Sequence, residues 1–203
     1  MESIRAFIAV PASDQVRLLV KEVTEKLRWV GADVKWVESE NVHITVKFLG
    51  NISEDDAASL GPALSGALTD VSGFDVTVEK AGTFPGGRKA PRVVWLGLGE
   101  GFEALKDVAR RVEDACAGLG FEREKRSFKA HLTIGRVRRD SPKLLDLGEA
   151  VAGIEFKPLK LAVDRVNLTR SRLSPRGPTY TVLESIALKD SKGGWVNGSE
   201  KQG

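Results

Sequence analysis

The chain has 203 residues and a formal net charge of +3, a length that fits one domain or one domain built from two small lobes. Its 41% hydrophobic and 29% charged residues are typical of a globular protein, and no apolar run approaches the ~18 residues that a membrane span requires. We therefore expect no membrane association. The single cysteine, Cys116, excludes an intramolecular disulfide and a four-cysteine zinc site, and it makes the cytoplasm the expected location.

Hydrophobic periodicity predicts alternating strands and helices. Short apolar runs predict strands at residues 3–10, 34–37, 41–50, 73–81, 92–98, 130–137, 155–170 and 179–189. Apolar residues at helical spacing predict helices at about 13–30, from residue 53 onward, and at 102–119. Pro62 predicts a kink or break in the second helix. The polar, glycine-rich residues 190–203 are expected to form a loose tail.

The order strand, helix, strand occurs twice, and each copy ends on a histidine about equally far from its first strand. This internal repeat predicts two similar lobes related by a pseudo-two-fold axis. The mixed order of elements favours an α+β fold over a doubly wound parallel sheet. We therefore predict that residues 1–189 form a single bilobal domain, with two pseudo-symmetric lobes of mainly antiparallel sheet, helices on the outside and a central cleft.

Both histidines of the protein occur in the same local pattern, His43-Ile44-Thr45-Val46 and His131-Leu132-Thr133-Ile134. On a strand, residues two apart point to the same face. Each histidine therefore shares a face with the threonine of its motif, and the apolar residues between them point into a core. If the two lobes face each other, their polar faces form a cleft that holds two imidazoles and two hydroxyl groups.

This set of groups suits phosphodiester chemistry. An imidazole with a pKa of about 6.5 exists in neutral and charged forms near neutral pH, so one ring can take a proton from water while the other gives one to a leaving oxygen. Hydroxyl groups and nearby cations can stabilise the phosphate oxygens. Neither motif carries Asp, Glu or Cys at a ligand-like spacing, so a catalytic metal site is not expected. The G-x-S-x-G motif of serine hydrolases and the P-loop motif are also absent.

Cations near the motifs are candidate substrate contacts. Lys47 would share the face of His43 on a regular strand, and the alternative is a solvated residue where the strand ends. Phe48 would then pack into the core, with base stacking as the alternative. Arg136 would point away from His131 on an ideal strand, so a phosphate contact requires a bulge or strand end at Gly135, and the alternative is a surface role. Two basic runs, at 123–139 and at 170–176, also motivate an RNA partner.

The sequence resembles the two-histidine (2H) phosphoesterase superfamily, which is defined by two H-x-T-x motifs, and most of all its RNA 2′,3′-cyclic phosphodiesterase branch, also called 2′-5′ RNA ligases. The likeness covers about residues 3–189 and includes IRAFIAV, HITVKFLG and SFKAHLTIGRVR. It implies a metal-independent reaction without a cofactor, in which an RNA 2′,3′-cyclic phosphate is hydrolysed to a 2′-phosphomonoester. It further implies that His43 donates a proton to the 3′-oxygen, that His131 activates water, and that Thr45 and Thr133 hold the phosphate.

The expected substrate is RNA with a 2′,3′-cyclic phosphate end, such as a tRNA fragment, or a nucleoside 2′,3′-cyclic phosphate, and we expect a monomer. The same site in reverse would join such an end to a 5′-hydroxyl. Two alternatives stay open: a non-catalytic module that binds RNA ends, and a 2H phosphodiesterase for another substrate, such as ADP-ribose cyclic phosphate, 2′-5′ oligoadenylates or oligouridine ends.

Overall fold

The computed structural model describes residues 3–87, 89–138, 141–175 and 177–190. The strands are β1 (Ile4–Pro11), β2 (Val34–Trp36), β3 (His43–Ile52), β4 (Phe74–Phe84), β5 (Val93–Leu98), β6 (His131–Val137), β7 (Leu159–Val163), β8 (Arg165–Ser174) and β9 (Gly177–Ala187). The helices are α1 (Asp14–Arg28), α2 (Glu54–Leu68), α3 (Phe102–Gly118) and α4 (Leu144–Gly153). Residues 191–203 of the predicted tail, and Arg139 and Arg176 of the basic runs, lie outside the described residues.

All nine strands join one sheet, in the order β7-β4-β5-β6-β3-β1-β8-β9, and β2 pairs with β6. Every pairing between these strands is antiparallel. Each half of the order contains one strand–helix–strand unit, β1-α1-β3 or β5-α3-β6. The halves meet where Ile44 of β3 lies opposite Leu132 of β6. This confirms the predicted α+β fold with two pseudo-symmetric lobes, and the lobes share a continuous sheet.

The hydrophobic core determines which way the motif side chains point. Ile44, Leu132 and Ile134 alternate with the motif residues, and all three are fully buried in one cluster with the apolar faces of the helices. Because successive side chains of a strand point to opposite faces, the histidines and threonines of both motifs lie on the other face of the sheet. In the described part of the chain, no helix is long and apolar enough to cross a membrane.

Two differences from the predicted elements have local causes. Helix α4 was not predicted, and its N-cap, Lys143, has a φ of 56° and forms no side-chain capping bond, so the sequence carries no start signal for this helix. The predicted strand at 155–170 is instead two strands, β7 and β8, separated at Asp164, whose carbonyl accepts a hydrogen bond from the Leu188 N–H.

Helix α2 runs unbroken through Pro62, so of the predicted kink or break, the break is wrong. The helix begins at a capping box in which the Ser53 and Asp56 side chains each accept the other residue's backbone N–H. Leu60 and Leu64, on either side of the proline, are fully buried. Burial of these side chains offsets the one helical hydrogen bond that a proline removes.

Candidate active site

The two motifs lie side by side at the centre of the sheet. His43 is the first residue of β3 and His131 is the first residue of β6, and the two strands are antiparallel neighbours through Ile44 and Leu132. The chain thus brings both H-x-T units to one face, as the sequence predicts.

The backbone just before each strand orients each imidazole in the same way. His43 Nδ1 lies 2.7 Å from the Asn41 carbonyl oxygen, and His131 Nδ1 lies 2.8 Å from the Lys129 carbonyl oxygen. A carbonyl only accepts hydrogen bonds, so Nδ1 carries the proton in both rings. Each Nε2 is therefore the atom available for chemistry. His43 Nε2 lies 3.1 Å from Thr45 Oγ1.

Aromatic side chains enclose His43. Its ring stacks on Phe7, with centroids 4.7 Å apart and planes 26° apart, and meets the edge of Tyr180 at 5.4 Å. This burial is the main cause that lowers the pKa of His43. The bond to Asn41 acts in the opposite direction, and the charges of Arg136 and His131 lower the pKa further. The free protein therefore favours the neutral form of His43 near neutral pH.

His131 has its own aromatic neighbours on the other lobe. Phe84 meets the ring edge-on at 5.2 Å and packs against Trp95 at 5.1 Å. Sequence reasoning missed Phe7, Phe84 and Tyr180 as residues of the site, because they come from β1, β4 and β9, far from the motifs along the chain. Burial also raises the pKa of the Tyr180 hydroxyl, against the charges of Arg136 and Arg5.

A β-bulge in β3 changes the faces of the residues after the motif. Thr45 pairs with Ala9 and Lys47 pairs with Ile8, so Val46 has no partner on β1. Val46 and Lys47 are consequently both buried, and Phe48 turns outward with 67% of its surface exposed. Its ring centroid lies 6.4 Å from that of Phe7, which stacks on His43. The prediction that Phe48 packs into the core is wrong.

The same bulge removes Lys47 from the face of His43, so its prediction as a substrate contact is also wrong. The Lys47 side chain is 5% exposed, and its Nζ lies 2.7 Å from Glu113 Oε1 on α3 and 3.0 Å from the Glu122 carbonyl oxygen. A buried ammonium group requires such partners. Lys47 therefore joins the middle of β3 to α3 and to the segment that follows α3.

A second bulge brings Arg136 to the site. In the ladder between β5 and β6, Trp95 pairs with Thr133 and Val94 pairs with Gly135, so Ile134 is the unpaired residue. Ile134 and Gly135 are both buried, and Arg136 is exposed. The bulge that a phosphate contact by Arg136 requires is thus present. Because side chains alternate again after the bulge, Arg136 lies on the motif face. Burial lowers the pKa of His43 and the charge of Arg136 adds to this effect, whereas the same charge opposes the burial that raises the pKa of Tyr180.

Within the described ranges, no set of three or more His, Cys, Asp or Glu side chains is arranged to hold a metal ion. What the described groups offer is two imidazoles with defined tautomers, two threonine hydroxyls and one guanidinium on a single face. These groups can transfer protons and stabilise an oxyanion.

Comparison with known proteins identifies relatives along most of the chain. The sequence model of the 2′-5′ RNA ligase superfamily matches residues 13–174. A protein of Methanothermobacter thermautotrophicus named RNA 2′,3′-cyclic phosphodiesterase is 35% identical over 187 residues, which cover 91% of this chain and 99% of the relative. One of the same name from Archaeoglobus fulgidus is 38% identical over 179 residues, which cover 88% and 97%.

Solved structures agree with this relationship. The fold matches TT0787 of Thermus thermophilus with a TM-score of 0.74 and 26% identity, over 92% of this chain and 99% of that one. It matches Escherichia coli LigT, solved in complex with 3′-AMP, with a TM-score of 0.71 and 26% identity over the same shares. The resemblance inferred from the two motifs is confirmed: the chain belongs to the 2′-5′ RNA ligase superfamily.

Proposed function

We propose that this protein hydrolyses 2′,3′-cyclic phosphate ends of RNA to 2′-phosphomonoesters, by acid–base catalysis between His43 and His131 and without a metal ion. The observation that carries the proposal is the matched pair of imidazoles on adjacent strands, each oriented by an Nδ1–H bond to a backbone carbonyl. The substrate class is supported by the name that relatives over nearly the whole chain share.

In the proposed step, neutral His131 accepts a proton at Nε2 from a water molecule as the water oxygen attacks phosphorus. The bond between phosphorus and the 3′-oxygen breaks, and charged His43 gives its Nε2 proton to that oxygen. The product carries a 2′-phosphate and a 3′-hydroxyl, and proton exchange with solvent restores both rings. The direction of transfer follows the family resemblance, and His131 Nε2 has no hydrogen-bond partner among the described residues.

The low pKa of His43 in the free protein makes substrate charge part of the mechanism. A buried neutral imidazole is a poor proton donor until an anion lies beside it. The cyclic phosphate brings one negative charge, which favours the imidazolium form and raises the pKa of His43 in the complex. Binding of the substrate thus creates the proton donor that the reaction uses.

The neighbouring groups complete the proposed site. Thr45 and Thr133 place hydroxyls beside the two imidazoles, where they can donate to the phosphate oxygens. Arg136 can donate two charge-assisted hydrogen bonds to a non-bridging oxygen pair as negative charge develops. Phe7 stacks on His43, and the outward ring of Phe48 lies next to Phe7. The Phe48 ring offers a flat surface on which the terminal base can stack.

One incubation tests the proposal. The EDTA-treated protein is mixed with adenosine 2′,3′-cyclic phosphate, and 2′-AMP is resolved from 3′-AMP. We expect 2′-AMP alone. Formation of 3′-AMP would show that the 2′-oxygen leaves instead of the 3′-oxygen. Activity that appears only with added zinc would contradict the metal-free mechanism. Binding without turnover of mononucleotide or oligonucleotide would favour the non-catalytic RNA-end module.

We also infer that the enzyme works as a monomer in the cytoplasm on RNA ends such as those of tRNA fragments. Both motifs come from one chain and meet at one strand pair, so the site needs no second copy. One buried cluster contains residues from Ile4 to Leu188, which supports residues 1–189 as a single working unit. The same groups acting in reverse would join a cyclic phosphate end to a 5′-hydroxyl, a 2′-5′ ligation.

A further inference from the structure

A groove lies beside the proposed catalytic site. Residues 47–50 in the second half of β3 form one wall, and residues 121–126, which follow α3, form the other. The groove is open to solvent, and its volume is about 420 Å³, within the range of roughly 300–1,000 Å³ in which small ligands bind. Phe48 borders both the groove and the aromatic set around His43, so a molecule can extend from one site into the other.

The wall at 121–126 is held in place from behind. Lys47 Nζ donates to the Glu122 carbonyl at 3.0 Å, and the Glu124 N–H donates to Glu113 Oε1, also at 3.0 Å. Lys47 and Glu113 are themselves paired at 2.7 Å. This partly buried ion pair therefore anchors the backbone of the segment at two positions, Glu122 and Glu124, to the sheet and to α3, and the groove is a built feature of the fold.

The groove exposes positive charge toward a ligand. Arg123, Lys125 and Arg126 are all exposed. Arg123 pairs with Asp114 at 2.7 Å and Lys125 pairs with Glu122 at 3.2 Å, and pairs between such exposed groups contribute little and exchange readily for a phosphate. Among the described residues, no carboxylate lies within 4.0 Å of the Arg126 guanidinium as an ion pair. The neighbouring Glu124 side chain accepts the Arg126 backbone N–H, and this bond, with a smaller contribution from the Arg126 charge, lowers the pKa of the Glu124 carboxyl.

Two aromatic rings complete the lining. Phe48 is outward-facing on the β3 wall, and Phe121 is half-buried on the opposite wall. Aromatic rings among exposed cations are the combination with which proteins bind single-stranded nucleic acid, because bases stack on the rings while cations follow the phosphates.

We infer that this groove binds the nucleotide on the 5′ side of the cyclic phosphate end, so that the enzyme prefers an oligonucleotide to a mononucleotide. The inference rests on the proposed function. The terminal nucleotide occupies the motif face, and the phosphate that links it to the preceding nucleotide lies near Arg126.

The test compares kcat/KM for two substrates, adenosine 2′,3′-cyclic phosphate and a four-nucleotide RNA with the same end. For the wild type we expect a ratio of oligonucleotide to mononucleotide of about ten or more. Arg126→Ala should lower this ratio about five- to tenfold, and should reduce the slope of log kcat/KM against log salt for the oligonucleotide by about 0.7, the value for one phosphate contact on a single strand.

The matched control is Lys26→Ala. Lys26 is an exposed cation on α1 that pairs with Glu22 at 2.6 Å and does not line the groove. The variant therefore removes one positive charge away from the groove, and its ratio of kcat/KM for oligonucleotide and mononucleotide should equal that of the wild type. A wild-type ratio near one would overturn the inference. So would a loss of kcat/KM in Arg126→Ala that is equal for both substrates, because it would place the terminal nucleotide itself in the groove. Failure of the proposed function is distinct, since neither substrate would then be turned over.

Discussion

Neutralising Glu113 should destabilise the protein more than removing the charge of Lys47, although the two residues form a single ion pair. In Glu113→Gln, the Lys47 ammonium stays in a site where its side chain is 5% exposed. Its acceptors are then the glutamine amide oxygen and the Glu122 carbonyl, which are both neutral, so its charge has no opposite charge beside it. Removal of one partner from a buried pair costs about 3–5 kcal/mol. We expect about 3 kcal/mol here, the lower end, because the Glu113 side chain is 20% exposed and water can approach.

In Lys47→Met the charge that remains is the Glu113 carboxylate, which is better solvated than the Lys47 ammonium in Glu113→Gln. Glu113 keeps its partial exposure and still accepts the Glu124 N–H, while methionine fills the space of the lysine stem. We expect a loss of about 1 kcal/mol, and the double variant should be more stable than Glu113→Gln alone.

Urea unfolding at pH 7 measures both losses from the midpoints, provided that the slope with urea is unchanged. A free energy of unfolding for Glu113→Gln within about 0.5 kcal/mol of the wild type would refute the reasoning. So would a double variant that loses the sum of the two single losses, since buried partners should be strongly coupled.

Three further predictions follow from the site and the core. In the free protein, the histidine NMR resonance that disappears in His43→Ala should titrate below the usual pKa of about 6.5, because burial lowers the pKa of His43; a midpoint above that value would contradict this. Thr45→Val and Thr133→Val should each reduce kcat about a hundredfold through loss of a donor to the phosphate, with an unchanged circular dichroism spectrum, and a loss below about threefold would argue against phosphate contacts. Burial raises the pKa of Cys116 to about 11, so at pH 8 only about one thiol in a thousand is ionised and a thiol reagent should label the protein only as it unfolds; rapid labelling of the native protein would show that the thiol is accessible.

The central part of the fold could be predicted because its signals are local. The motif strands, α1 and α3 each carry a clear apolar period, and the repeat of strand, helix and strand predicts two related lobes. Helix α4 could not be predicted, because its cap at Lys143 uses a left-handed backbone and no side-chain bond. A sequence shows such a start only when a capping side chain marks it.

The site was predictable as far as the first bulge in each strand. His43, Thr45, His131 and Thr133 share a face by the simple alternation of a strand. An unpaired residue then reverses the alternation, at Val46 in β3 and at Ile134 in β6. The bulge in β3 exchanges the expected faces of Lys47 and Phe48. The bulge in β6 brings Arg136 to the motif face. A one-residue irregularity in pairing leaves no mark on hydrophobic periodicity.

The aromatic enclosure of His43 was not predictable either. Phe7 has the appearance of an ordinary core residue of β1, and Tyr180 lies at the other end of the chain. Tyr180 reaches His43 because β8 and β9 form a long hairpin on the outer side of β1. The contact depends on sheet order, and its effect on the pKa of His43 follows only from the three-dimensional packing.

The central claim is that the two imidazoles have opposite proton-transfer roles. It is tested most directly by the dependence of kcat/KM on pH for hydrolysis of adenosine 2′,3′-cyclic phosphate by the wild type, His43→Ala and His131→Ala. We predict a bell-shaped profile for the wild type and a loss of at least about a hundredfold in each variant. His43→Ala should lose the alkaline limb, because the proton donor is gone, and His131→Ala should lose the acid limb, because the acceptor is gone. Activity within about tenfold of the wild type in either variant would contradict the two-histidine mechanism, and exchanged limbs would reverse the roles of donor and acceptor.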